Sequence, residues 1–238
     1  MKKVIWSMFD GSGYALKDWA EAGHTCFAIN ADEADHGDYS KLNVRIEHQN
    51  IHYVNAWIDK AFFDDVVAGR KPELGRPDII LAFPPCTDLA NSGSRAWAGK
   101  REDNTDFQIE AALTARIAAN LGNYFGVPYV VENPAGMLTP LWRKPDVYVN
   151  PWEFGGYISS DPIHPHFPEY IADCDAYPKK TGLWFGNGFV APMKDPVYVE
   201  DGLSKQYKKL GGKSTKTKVI RSLTPRGLAR AIYEANDI

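Results

Sequence analysis

The run Pro77-Asp78-Ile79-Ile80-Leu81-Ala82-Phe83-Pro84-Pro85-Cys86 restricts the fold more than any other stretch of the chain. Its apolar part, Asp78 to Phe83, reads as a short buried strand. Two consecutive prolines end it, because each ring removes a backbone donor and fixes φ near about −65°. The chain must then leave the sheet and present Cys86 just beyond the carboxyl end of the strand, where open α/β sheets bind their ligands. The small polar loop that follows, Thr87 to Ser94, contains a glycine and is able to close over something.

Similar punctuation recurs along the chain. Val4 to Phe9, Thr25 to Ile29, Ile51 to Val54 and Pro128 to Val131 read as further strands, with Lys179 to Trp184 as a candidate. Between them lie helical patterns. Ala15, Leu16, Trp19 and Ala20 follow the turn Asp10-Gly11-Ser12-Gly13, and Gly23 stops them. Ile58 to Val67 is short; a longer helix starts at an Asp103 or Asn104 cap and ends near Leu121, with Phe107, Ala111, Ile117, Ala118 and Leu121 on its apolar side. The last helix opens at Thr224-Pro225, read as a cap followed by proline at the first helical position, and carries Leu228, Ala229 and Ile232. Strands alternating with helices predict an α/β domain with a mostly parallel central sheet covered on both faces. The core is expected in 1–142, a looser Pro-, Gly- and aromatic-rich substrate-binding region in 143–218, and a helix returning to the core in 219–238, all as one domain.

A chain of 238 residues suits one such domain. Its net charge of −3 gives no global attraction to nucleic acid, so any binding of that kind rests on a local patch. Residues 205–230 supply one: nine Lys or Arg and no Asp or Glu, a composition that fits phosphate contacts as well as a solvated loop and helix face. The three cysteines, Cys26, Cys86 and Cys174, form no CxxC pair, which argues against a disulfide framework and against zinc. No metal and no obligate protein partner is expected. The amino-terminal apolar stretch is too short for a signal peptide and no window reaches a membrane span, so a soluble protein of the reducing cytoplasm is expected.

A parallel sheet would gather three strand ends along one edge. The first carries Phe9-Asp10-Gly11-Ser12-Gly13, which allows close backbone approach to a ligand but lacks the third glycine of a dinucleotide fingerprint. The second carries Asp32, Glu33, Asp35 and Asp38, of which Asp32 is best placed to accept hydrogen bonds from a ribose. The third carries Glu132-Asn133 directly after an apolar strand, where desolvation suits a carboxyl group to proton donation. Buried, inert cysteines are common, yet a cysteine after a strand end and a diproline is better placed as a nucleophile. Cys86 and Glu132 together suit addition of a thiolate to an electron-poor carbon, with the acid protonating the atom that gains charge. A cysteine hydrolase would instead require His164 or His166 beside Cys86.

Phe9-x-Gly11-x-Gly13, Pro84-Pro85-Cys86 and Glu132-Asn133-Pro134 occur in the order and context of the C5-cytosine DNA methyltransferases, which this chain resembles. Ser7-Met8-Phe9-Asp10-Gly11, Pro85-Cys86-Thr87-Asp88-Leu89 and Arg221 to Ala229 are similar to small phage-borne members of that family. The resemblance implies a Rossmann-like S-adenosylmethionine-dependent methyltransferase fold. It implies that Cys86 adds to C6 of cytosine, that Glu132 protonates N3, and that Asn133 positions Glu132 or the loop. Phe9, Asp10, Gly11, Gly13 and Pro84 would line the cofactor site, with Asp32 on the ribose, although Asn30 and Ala31 also align there. Asn55 or Trp57 would take the place of the family's adenine-contacting Asp, and Pro85, Thr87, Lys180 and Arg221 would face substrate. The interval from Phe185 to Ser214, about 30 residues, is too short for the family's target-recognition domain. The implied substrate is therefore DNA with short or relaxed sequence preference or a preference for single strands, with a free cytosine nucleotide such as dCMP, or a non-catalytic nucleic-acid-binding module, as alternatives.

Overall fold

The structure, a computed structural model, describes residues 1–32, 44–158, 160–199, 206, 209–210 and 214–237. Seven strands form one sheet: β1 Val4–Met8, β2 Thr25–Asn30, β3 Ile51–Asn55, β4 Ile79–Ala82, β5 Tyr129–Pro134, β6 Val147–Val149 and β7 Thr181–Gly186. Their order is β3-β2-β1-β4-β5-β7-β6. The first five run parallel, while β7 pairs antiparallel with both β5 and β6. The fold is Rossmann-like α/β with a mostly parallel sheet, as the alternation of patterns predicts. Region 143–218 supplies β6 and β7 to that same sheet.

Successive strand residues point to opposite faces, and both faces are covered. Trp6, Met8, Ile80, Ala82 and Val131 pack against α2 Lys60–Val67 and α4 Phe107–Phe125, meeting Phe62, Val66, Ala115, Ala118 and Leu121. Ile5, Ala28, Ile79, Leu81, Val130 and Leu183 pack on the other side against Leu16, Trp19 of α1 (Lys17–Glu21), and Leu228 and Ile232 of the last helix. This two-sided burial explains why Asp78 to Phe83 is a continuous apolar run. A third cluster of Tyr14, Phe167, Ile171, Tyr177, Val219, Ile220 and Leu223 joins the 160–177 segment to the stretch after β1.

Several boundaries differ from expectation. A separate helix, α3 Trp97–Asp103, precedes α4, and it has no buried residue that an apolar period could reveal. Asn104 therefore closes α3, its N–H donating to Lys100 O at 2.8 Å, and Asp106 rather than Asp103 or Asn104 stands before α4. A short turn, α5 Leu138–Leu141, follows β5, and α6 Thr215–Ser222 precedes α7 Arg226–Asn236. Thr224 does not cap α7; Pro225 occupies the cap position, and the distant Asp175 accepts from Gly227 N at 3.3 Å. Among the described residues no helix is long and apolar enough to cross a membrane.

Candidate functional site

The order of parallel strands reverses between β1 and β4, and such a switch point opens a crevice beyond the carboxyl ends. Phe9 stands on one side of it with φ of 61°, a left-handed conformation that a bulky residue adopts only when its surroundings hold it there. Its N–H donates to Ile29 O at 2.7 Å, and Phe83 N donates to Met8 O at 3.0 Å, fixing both strand exits. Pro84 is buried and Pro85 and Thr87 are exposed, leaving Cys86 partly exposed between them.

The Cys86 loop is pinned from β5. Asn133, fully buried, donates from Nδ2 to Pro84 O at 3.0 Å, so it positions the loop. Met137 N donates to Leu89 O at 2.7 Å, and Gly136 lies so close that an added Cβ would sit 2.0 Å from that carbonyl. Gln108 holds Asp88 O at 3.0 Å, and Lys100 pairs with the Asp88 carboxylate. Residues 88–90 are therefore anchored, and of the Thr87 to Ser94 loop expected to close, Asn91 N and Gly93 N are bonded as well, to Ala135 O at 3.4 Å and Ala90 O at 2.9 Å.

Glu132 does not leave the strand after Val131, as the apolar pattern suggested. β5 continues through Pro134 because β7 pairs with it antiparallel, Glu132 opposite Leu183. Ala82 and Val131 are register partners, so Glu132 lies on β5 just past the level at which β4 ends and the Cys86 loop begins. Glu132 is buried and its Oε1 lies 3.7 Å from Lys179 Nζ, which also donates to Arg221 O at 3.3 Å. Burial pushes the Cys86 thiol up; the Lys179 cation opposes that, the Glu132 charge adds to it, and Arg221 opposes it more weakly. Cys86, Glu132, Lys179 and Arg221 thus form one electrostatic neighbourhood.

Lys179, not Lys180, belongs to this group. Lys180 is exposed and its Nζ lies over the Tyr148 ring at 4.7 Å. Neither histidine joins Cys86. His164 Nδ1 accepts the N–H groups of His166 and Phe167 at 3.2 Å each, and His166 Nδ1 lies 2.6 Å from Tyr14 OH. Both serve the cluster behind the first turn, which removes the requirement of a cysteine hydrolase.

At the other end of the crevice Gly11, Asp32 and Asn55 come together. A Cβ on Gly11 would meet Asn30 Nδ2 at 3.0 Å and Asp32 Oδ1 at 3.7 Å, and Asp32 N donates to Asn55 Oδ1 at 3.0 Å. Trp57, 62% exposed, follows β3. Two expected ligand residues are instead structural. Asp10 is buried and turned inward: Oδ1 accepts from Ser12 N at 3.0 Å, Ser12 Oγ at 3.0 Å and Gly13 N at 2.7 Å, and Oδ2 accepts from Ser7 Oγ at 2.8 Å. Gly13, at φ 75°, lies so near Tyr53 that a Cβ would sit 2.5 Å from its hydroxyl. Arg45, which no motif in the sequence singles out, pairs with Asp32 and reaches Gly11 O at 3.3 Å. Glu33, Asp35 and Asp38 lie outside the described residues.

The basic stretch divides. Arg226 donates to Asp161 O at 3.0 Å and Pro162 O at 2.8 Å, and Arg230 to Asp18 at 2.8 Å and Glu234 at 2.7 Å, so both tie α7 to the core. Lys216, Lys218 and Arg221 are exposed, as is Lys209. Lys205, Lys208 and Lys213 lie outside the described residues. Among the described residues no group of three or more His, Cys, Asp or Glu side chains is arranged to hold a metal.

No family model matches the chain, and no curated protein matches it. Among solved structures, the Bordetella bronchiseptica enzyme WbmH, in complex with NAD+, is similar at 12% identity and a TM-score of 0.35, over 53% of this chain and 37% of that one. A likeness of that size carries no argument about what this chain binds or does.

Proposed function

We propose that this protein methylates C5 of cytosine in DNA, using S-adenosylmethionine, with Cys86 as the nucleophile and Glu132 as the acid. The observation that carries the reading is a partly exposed cysteine in the loop after β4 beside a buried glutamate on neighbouring β5, the loop tied to β5 by the Asn133–Pro84 hydrogen bond. Cys86 gives up its thiol proton to solvent and the resulting thiolate Sγ bonds to C6 of the ring while Glu132 delivers a proton to N3, so the electron pair of the C5–C6 double bond is left to make C5 nucleophilic. Lys179 balances the charge of Glu132 as that proton moves and favours the thiolate of Cys86. After C5 has gained its substituent and lost its proton to solvent water, the Sγ–C6 bond breaks, releasing the thiolate, and N3 returns its proton to the Glu132 carboxylate. A base within a duplex must be flipped out to reach Cys86.

S-adenosylmethionine supplies the electrophilic methyl group when bound. Phe9, Gly11, Asp32, Asn55 and Trp57 would hold it; the contact of Gly11 with Asn30 and Asp32 leaves the carboxylate at the turn, as a ribose requires. The antiparallel β7 inserted between β5 and β6 tells against a dinucleotide-binding reading. The dinucleotide-binding order is 3-2-1-4-5-6, and β3-β2-β1-β4-β5-β7-β6 departs from it by that inserted strand. A reducing cytoplasm suits a thiol nucleophile, and Cys26, Cys86 and Cys174 are all free.

The short interval between β7 and α6 favours a second reading, C5 methylation of a free nucleotide such as dCMP. An assay with tritiated cofactor, offering duplex DNA, single-stranded DNA, RNA and dCMP side by side, separates the two. Incorporation into DNA, weakening steeply with salt, supports the first; incorporation into dCMP alone supports the second. A chain that binds no S-adenosylmethionine and transfers nothing is a non-catalytic module.

A further inference from the structure

Asp32, the carboxylate read as the ribose acceptor, is not solitary. Oδ1 accepts from Asn30 Nδ2 at 2.8 Å, and Oδ2 pairs with Arg45. The Arg45 guanidinium also donates from Nε to Gly11 O at 3.3 Å, and its Cζ lies 4.5 Å from the centroid of the Tyr53 ring. Tyr53 in turn donates its hydroxyl to Ser12 O and Ile46 O, both at 3.0 Å, while Ile46 N donates to Ser12 O at 2.9 Å. Residues 45, 46 and 53 thus lace the carbonyls of the glycine turn to the end of β2.

The Arg45 and Asp32 side chains are 39% and 24% exposed, and an ion pair in that setting adds little to fold stability. The arrangement has a clearer use. A guanidinium fork that spans a carboxylate, a backbone carbonyl and an aromatic face fixes orientation in a way a point charge does not. We propose that Arg45 is a positioning residue of the cofactor site, holding the Asp32 carboxylate and the Gly11 backbone in the geometry that receives the ribose hydroxyls of an adenosine-containing cofactor. The inference rests on the cofactor reading above and adds a residue to it. Among the described residues Oδ1 serves Asn30 and Oδ2 serves Arg45, one partner each, so a ribose hydroxyl joins the network without displacing it.

The test is titration calorimetry of the full chain with S-adenosylhomocysteine, together with KM and kcat for methyl transfer. Arg45→Met is expected to weaken binding and raise KM for the cofactor about fivefold, with kcat within about twofold, because it removes an exposed ion pair. Arg45→Lys, which pairs with Asp32 without spanning to Gly11 O, is expected to recover part of the loss. The Arg45→Met effect should vanish in an Asp32→Asn background, where there is no carboxylate to orient. Unchanged or tighter binding by Arg45→Met, with wild type binding normally, overturns this inference alone. Failure of the wild type to bind overturns the cofactor reading and this inference with it. A thermal midpoint that falls in Arg45→Met by more than about 5 °C, with affinity unchanged at low temperature, assigns Arg45 to the fold and overturns the proposal.

Discussion

Lowering the pH from 7 to 5 is expected to cost this protein stability through one buried imidazole. His164 is 2% exposed, and its Nδ1 accepts two backbone N–H groups, so its proton sits on Nε2 and the ring is neutral. Burial, with the Arg226 and His166 charges adding, pushes its pKa down to about 3. An unfolded histidine titrates near about 6.5. The unfolded chain therefore takes up a proton below that value and the folded chain does not, so stability present above pH 6.5 is lost progressively toward pH 3. At pH 5 the gap is about 1.5 pH units, or about 2 kcal/mol. For a chain of this length that lowers the thermal midpoint by about 4 °C. His164→Asn places an oxygen acceptor near the Nδ1 position and removes the titration. Urea unfolding of both proteins at pH 7 and pH 5 should show the wild type losing about 2 kcal/mol more than the variant. Equal losses would refute the claim that the ring is held neutral. The readout reaches the site because His164 and Phe167 pack on Tyr14, directly behind the first turn.

Alkylation of Cys86 by iodoacetamide should be slow at neutral pH and accelerate as the pH rises, since burial holds the thiol protonated. Lys179→Met should slow it further, about threefold or more, by removing the cation that favours the thiolate; an unchanged rate would detach Lys179 from the site. Asn133→Ala leaves the Pro84 carbonyl without its buried donor and should cost about 1–3 kcal/mol, read as a lower thermal midpoint, with a larger loss of activity as the loop loosens. In salt titrations of DNA binding, Arg221→Gln should reduce the slope by about 1. Arg230→Gln, which breaks the bonds to Asp18 and Glu234, should leave that slope unchanged.

The strands and their ends were legible because a buried parallel strand writes itself as a short apolar run closed by turn residues, and Val4, Thr25, Ile51 and Ile79 each begin one. The Cys86 exit was legible from the diproline alone. What escaped depended on partners remote in sequence. β5 runs through Pro134 only because β7 lies beside it, and no local pattern carries that pairing. The choice between Lys179 and Lys180 is a one-residue question of register at the start of β7, which a side-chain alternation cannot settle without a fixed first residue. Asp10 looked like a ligand residue beside two glycines, yet Ser7, Ser12 and Gly13 absorb its carboxylate; the short-range Asp-x-Ser spacing was the available signal. α3 buries nothing and so has no apolar period, and α7 borrows its capping carboxylate from Asp175, far upstream. Arg45 reads as one more charge in a polar stretch until the fold brings it to Asp32.

The most direct test of the central claim is intact-mass analysis of the protein after incubation with S-adenosylmethionine and an oligonucleotide carrying 5-fluorocytosine. Release of Cys86 requires loss of the C5 hydrogen as a proton, and fluorine cannot leave in that way, so the adduct should persist. The account expects one oligonucleotide bound covalently to wild type, mapped to Cys86, and none bound to Cys86→Ser. Methyl transfer by Cys86→Ser, or transfer by wild type to ordinary cytosine with no adduct on the fluorinated base, would contradict it.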